Sequence, residues 1–263
     1  MTGWEMAAIA AAGLWAGTIN AVVGSGTLVT FPVLLATGLP PVTASVSNSL
    51  GLVPGSLTGA IGYRRELRGQ RRLLLQLLPA SVLGAVTGAF LLLHLPASAF
   101  EAIVPVLVGL AVVLVAVQPS LQRLLARRRE GRGTNTPDPA RPGPVRTTAL
   151  VAAAYATGTY GGYFAASQGI LQVGLFGLIT AESLQRLNAL KNVLTLAVNT
   201  VAGVSYIVVA ADRINWVAAA LVASGSVIGG FLGSSVGRRL PAPVLRGMIV
   251  VLGVVAIVVL LTR

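Results

Sequence analysis

The chain contains no cysteine, a single histidine (His94) and only seven carboxylates among 263 residues. Without cysteine there are no disulfides, no iron–sulfur clusters, no thiolate metal sites and no thiol relay. One imidazole cannot build a histidine metal site. Charge of either sign is scarce: 10% of residues are ionisable Asp, Glu, Lys or Arg, against about 25% in soluble domains. None of the acids (Glu5, Glu66, Glu101, Glu130, Asp138, Glu182, Asp212) falls at the centre of an apolar run, so a buried carboxylate relay or carboxylate Na+ site has no candidate. An enzyme within the membrane would need a nucleophile–base pair or a metal cluster, and neither is available. No catalytic residue, metal or cofactor is expected.

What is present is apolar sequence. Hydrophobic residues make up 55% of the chain and the mean hydropathy is +0.83, which points to an all-α polytopic membrane protein. Crossing about 30 Å of hydrocarbon takes roughly 20 residues of helix. Uncharged runs that meet or approach this length lie at Met6–Val23, Val42–Tyr63, Leu73–Leu93, Ala102–Gln118, Thr147–Phe164, Val193–Ala211, Trp216–Gly237 and Gly247–Thr262. That predicts eight full transmembrane helices. Two shorter runs, Gly26–Leu39 and Ile170–Ala181, read as broken or re-entrant half-helices. The opening "MTGWE" has an acid and no Lys or Arg, so it lacks the basic start of a cleavable signal peptide, and the first run is expected to be a retained helix.

A net charge of +12 would suggest nucleic acid in a soluble protein. Here the basic residues gather in a few loops, as membrane orientation requires, and no nucleic-acid partner is expected. Arg64, Arg65, Arg68, Arg71 and Arg72 follow the second full run. Arg123, Arg127, Arg128, Arg129, Arg132, Arg141 and Arg146 surround the central segment, and Arg238, Arg239 and Arg246 flank the last connection. Counting each short run as a crossing gives five segments per half, and an odd number inverts the second half. All of the 19 basic residues except Arg213 and Arg263 then lie on the cytoplasmic side. The prediction is two inverted-topology repeats in the cell inner (plasma) membrane, 1–118 and 147–263, joined by an Arg/Pro-rich cytoplasmic linker at 119–146, with both termini outside. The lipid bilayer is a partner by construction, and a homodimer stays open.

The halves are also alike in sequence. Gly24–Leu28 reads G-x-G-x-L, then a short apolar run and Asn48. Ser167–Leu171 reads "SQGIL", then a short apolar run, Asn188 and Asn192. Irregular backbone at membrane depth is tolerated only where it is buried in protein or lines a cavity. Transporters built from inverted repeats bind substrate near the midplane between broken helices, whose N-terminal amides and dipoles face an anion. The candidate binding residues for a small anion are therefore Asn20, Gly24, Ser25, Gly26, Thr27, Ser47 and Asn48 at the first break. At the second they are Tyr160, Tyr163, Ser167, Gln168, Gly169, Gln172, Lys191 and Asn192. Gly26 is expected to let a ligand approach the backbone, whereas Gly59 is expected to serve helix packing. An intramembrane cation is a functional hypothesis by default, and Lys191 divides between facing the anion and snorkelling to the interface.

The stretch "GSGTLVTFPVLLATGLPPVTASVSNSL", followed by "GYRREL", resembles the sulfite exporter TauE/SafE family, also called the toluene sulfonate uptake permease family. The resemblance covers nearly the whole chain, with a weaker second copy from Tyr155 to Arg263 that lacks the counterpart of Pro32. It implies a secondary carrier that exports or takes up sulfur-containing anions such as sulfite or organosulfonates. The alternatives are a passive anion channel or a permease for another small organic anion.

Overall fold

The computed structural model describes residues 1–130, 144–180 and 182–235, together with Gly247, Val250, Val251, Val254, Ile257 and Val258. Among the described residues all regular structure is helical: α1 (Gly3–Val22), α2 (Thr27–Ala36), α3 (Pro41–Gly62), α4 (Arg71–His94), α5 (Ala97–Glu130), α6 (Pro144–Tyr163), α7 (Gln168–Ile179), α8 (Leu184–Ala210), a 3-10 turn (Ala211–Arg213) and α9 (Trp216–Ser235). Five of these, α1, α4, α5, α8 and α9, are long and apolar enough to cross a membrane. Helices α3 and α6 have the length but are richer in Ser, Thr, Asn and Gly. The expected last span, 247–262, lies mostly outside the described residues.

Helix ends depart from the apolar runs where side chains cap them. Thr2 Oγ1 accepts the Glu5 amide at 3.3 Å, while the Glu5 carboxylate accepts the Thr2 amide at 2.7 Å. This reciprocal capping box starts α1 at Gly3, ahead of the run at Met6. Ser183 Oγ accepts the Arg186 amide at 3.3 Å and starts α8 nine residues ahead of Val193. Lys191 and Asn192 thereby fall inside a continuous helix. Helix α5 does not stop at Gln118; it passes through Pro119 and carries the Arg-rich sequence as far as Glu130. The described parts of the expected linker, 119–130 and 144–146, are thus helical.

Small residues set the packing. A Cβ placed on Gly13 would lie 2.7 Å from the Val222 carbonyl oxygen, and one on Gly17 would strike that of Ser226. Rising numbers meet rising numbers, so α1 and α9 run parallel. Gly158 sits against Ser81 and Gly162 against Ala85, so α4 and α6 run parallel in the same way. Backbones approach this closely in membranes because small residues at four-residue spacing remove the side chains between them. The α3 glycines Gly51 and Gly55 rest on Val222 and Ser226 of α9, again parallel. Since α1 and α3 both run with α9, the chain must travel back between them, and α2 with its flanking residues makes that return.

Large apolar side chains such as Leu83, Phe90, Val106, Val208 and Phe231 stay exposed around the outside, where lipid is their solvent.

Candidate functional site

Helices α1 and α6 end with the same backbone device. The amides of Val23 and Gly24 both donate to the Ile19 carbonyl, at 2.7 and 3.1 Å, and those of Phe164 and Ala165 both donate to the Tyr160 carbonyl, at 2.9 and 3.2 Å. Gly24 takes φ +88°, and Ala165 takes φ +63°. Glycine enters this left-handed region freely; alanine and Ser167 (φ +60°) do so at a cost. In three dimensions the counterpart of Gly24 is therefore Ala165, whereas the sequence match pairs it with Ser167.

The two breaks touch. The Gly169 amide, in the first turn of α7, donates to the Gly24 carbonyl at 3.1 Å. A Cβ on either glycine would lie 2.6 Å from the Cα of the other. No space remains between these two residues, and one helix-start amide is already spent. Gly26 also differs from its expected role. Its φ is −57°, and a Cβ there would lie 2.5 Å from the Ala16 carbonyl oxygen, so it seats α2 on α1. Gly59 has more room, with Ala21 Cβ 3.4 Å from the added atom.

Polar groups left over at the breaks are the candidate ligand contacts. Among the described residues, the amides of Ser25, Gly26 and Thr27 donate no hydrogen bond. Ser25 Oγ is fully buried with no partner. Gln168 is 1% exposed and both atoms of its amide are unpaired, the side chain lying against Gly161. The hydroxyls of Tyr160 and Tyr163 and Nε2 of Gln172 are also unpaired. Buried polar atoms ordinarily have partners, so this concentration around two chain breaks makes them the candidate contacts for a polar ligand.

The remaining predicted residues build the frame. Asn48 clamps α2 to α3: its Nδ2 donates to Thr27 Oγ1 at 3.1 Å and its Oδ1 accepts from Thr30 Oγ1. Ser47, one residue earlier and turned by about 100° on the helix, faces α9 and accepts the Asn215 amide at 2.9 Å. Ser167 Oγ donates to the Ala111 carbonyl of α5 at 3.3 Å. Asn20 Nδ2 and Asn199 Nδ2 both donate to Ser56 Oγ at 3.3 Å, and Thr195 Oγ1 donates to Gln172 Oε1 at 3.2 Å. Ser56, Thr30 and Thr195 escape a reading of sequence alone, since isolated hydroxyls in apolar helices usually bond to their own backbone. Thr195 carries a usable signal: Lys191, Thr195 and Asn199 recur every four residues and share one face of α8.

Lys191 is fully buried and does not snorkel. Its Nζ donates to the Asn20 carbonyl at 2.8 Å and the Ala21 carbonyl at 3.2 Å, and Asn192 Nδ2 is a second donor to the Ala21 carbonyl, at 3.3 Å. Among the described residues the only ion pair joins Arg186 to Glu182, so no carboxylate offsets the Lys191 charge. The carbonyl end of α1 does so in part, through the negative pole of the helix.

Apolar helices with two interruptions, meeting beside unpaired polar groups and a buried ammonium held by carbonyls alone, define a helical membrane protein with broken helices at its centre. The chain belongs to the sulfite exporter TauE/SafE family, a family of membrane transporters, whose model matches residues 9–260. A probable membrane transporter protein of a Sinorhizobium species is 33% identical over 108 residues, 40% of this chain and 41% of that one. Another from Haemophilus influenzae is 31% identical over 96 residues, 36% of this chain and 38% of that one. The probable membrane transporter protein YfcA of Escherichia coli is 25% identical over 241 residues, 91% of this chain and 83% of that one. The chain thus spans less than half the length of the first two relatives and most of the third. These names are of transporters and not of enzymes, in agreement with the composition. No solved structure gives a significant match.

Proposed function

We propose that the protein is a secondary transporter of small sulfur-containing anions such as sulfite or organosulfonates, acting as an exporter in the cell inner membrane. The anion binds near the bilayer midplane beside the Gly24–Gly169 contact. Ser25, the free amides of Ser25–Thr27 and Gln168 supply donors, and Lys191 supplies positive potential. The observation that carries this reading is the combination of a fully buried lysine without a carboxylate and fully buried, unpaired donors at the same two breaks. Hydroxyl and amide donors in a low-dielectric setting suit an oxyanion.

Parallel packing supports the inversion of the two halves, and the basic loops, which then fall on the cytoplasmic side, support the placement of both termini outside. The first helix of each half lies along the fourth helix of the other, α1 along α9 and α6 along α4, as a two-fold axis between inverted halves requires.

Purified protein should be heated with sulfite, sulfate, thiosulfate, sulfoacetate or taurine, and then reconstituted into liposomes for counterflow. Stabilisation by at least one sulfur anion, with saturable counterflow of the same anion, is expected. Absence of both with every anion would remove the reading.

A further inference from the structure

The carbonyls at the end of α1 have a use that helix capping alone does not exhaust. The last four carbonyls of a helix lack intrahelical partners, and in lipid they must find donors or cations. Where transporter helices are interrupted, unwound carbonyls and helix C-terminal ends are the groups that coordinate Na+ or H+. Here Asn20 and Ala21 present such oxygens beside the Gly24 break, and a lysine ammonium from another helix fills the position at 2.8 and 3.2 Å. The stem of that lysine runs through the junction: its Cδ would lie 3.2 Å from a Cβ on Gly24 and 2.7 Å from one on Gly169. The cation is therefore threaded past the contact between the two breaks. No carboxylate competes for it among the described residues.

We propose that the Lys191 ammonium is a tethered coupling cation: it occupies the monovalent-cation position formed by the Asn20 and Ala21 carbonyls, so that the transport cycle runs without Na+ or K+. The consequence for transport rests on the anion-carrier reading; the cation position itself does not. An ammonium is a compact point charge with three donors, two of which are used on these carbonyls.

The test is chemical rescue. Wild-type protein and Lys191→Ala are prepared in choline, sodium, potassium and ammonium chloride at equal ionic strength, and melting temperature is read without any anion substrate. Wild type should melt at the same temperature in all four salts. Lys191→Ala should melt lower in choline and regain at least half of the loss in ammonium, with the concentration dependence of a bound ligand. Lys191→Met, whose side chain fills the space of the stem, should be lowered and gain nothing from ammonium. Recovery of folded Lys191→Ala from membranes in ammonium but not in choline would count as rescue. Failure to recover it in either salt, or recovery with no cation dependence, overturns the proposal, as does a wild type that needs Na+.

In liposomes an inward ammonium or sodium gradient should drive anion accumulation by Lys191→Ala and leave wild-type flux unchanged. Rescue of melting without gradient-driven flux would reduce Lys191 to a helix cap and overturn coupling. If wild type moves no anion at all, the transporter reading fails while the melting arm still decides the cation position.

Discussion

The Gly169 amide donates to the Gly24 carbonyl at 3.1 Å, joining the two chain interruptions by a backbone hydrogen bond between residues 145 positions apart in sequence. Neither residue can carry a side chain without moving the other. Gly169→Ala places a methyl 2.6 Å from Gly24 Cα and 2.7 Å from Lys191 Cδ. Overpacking of this kind costs about 1–3 kcal/mol, and a clear drop in melting temperature is expected. Gly109→Ala, in open space on α5, should cause none and serves as the control.

Gly26→Val should lower stability before it affects transport, because its Cβ meets the Ala16 backbone at 2.5 Å. Gly59→Ala should be tolerated, since its nearest neighbour is a side-chain methyl at 3.4 Å. Detergent melting curves of the two variants decide the order. A stable Gly26→Val that has lost only flux would return Gly26 to ligand contact.

Ser25→Ala and Gln168→Leu remove buried polar atoms that have no protein partner. Removing an unpaired group relieves desolvation cost, so melting temperature should hold or rise in the absence of substrate. Anion affinity should fall by about fivefold for each lost hydrogen bond of ~1 kcal/mol. Binding unchanged in both variants would place the anion elsewhere.

Asn48→Leu should do the opposite and damage folding while leaving the free donors in place. It cuts the bonds to Thr27 and Thr30 that hold α2 on α3. Side-chain bonds between membrane helices average about 0.6 kcal/mol and reach about 1.7, so a loss of ~1–3 kcal/mol is expected, read by urea or thermal unfolding in detergent.

The topology can be read by labelling cysteines introduced into this cysteine-free chain. A cysteine at the exposed Ser98, in the first turn of α5, should react from outside, and one at the exposed Arg68 from the cytoplasm. Reaction of Ser98→Cys from the cytoplasmic side alone would reverse the orientation.

Much of the architecture is legible in the amino-acid order because membrane helices must satisfy their own backbones and shield it with apolar side chains. That constraint is local, so run length, the sparse acids and the arginine clusters were enough to expect an all-helical membrane protein interrupted near Gly24 and Ser167. The four glycine pairs at Gly13/Gly17, Gly84/Gly88, Gly158/Gly162 and Gly225/Gly229 were equally visible at four-residue spacing, but spacing does not say which helix meets which. Pairing is a property of surfaces remote in sequence, and only the tertiary structure set α1 on α9 and α6 on α4. The same limit applied to the site. Sequence placed Lys191 and the glycines near the breaks; it could not show that Gly169 closes onto Gly24, that Gly26 is held by Ala16, or that the Lys191 ammonium turns to the carbonyls of Asn20 and Ala21. Those outcomes depend on which donor reaches which acceptor after the helices pack, where low dielectric makes each unmatched group costly.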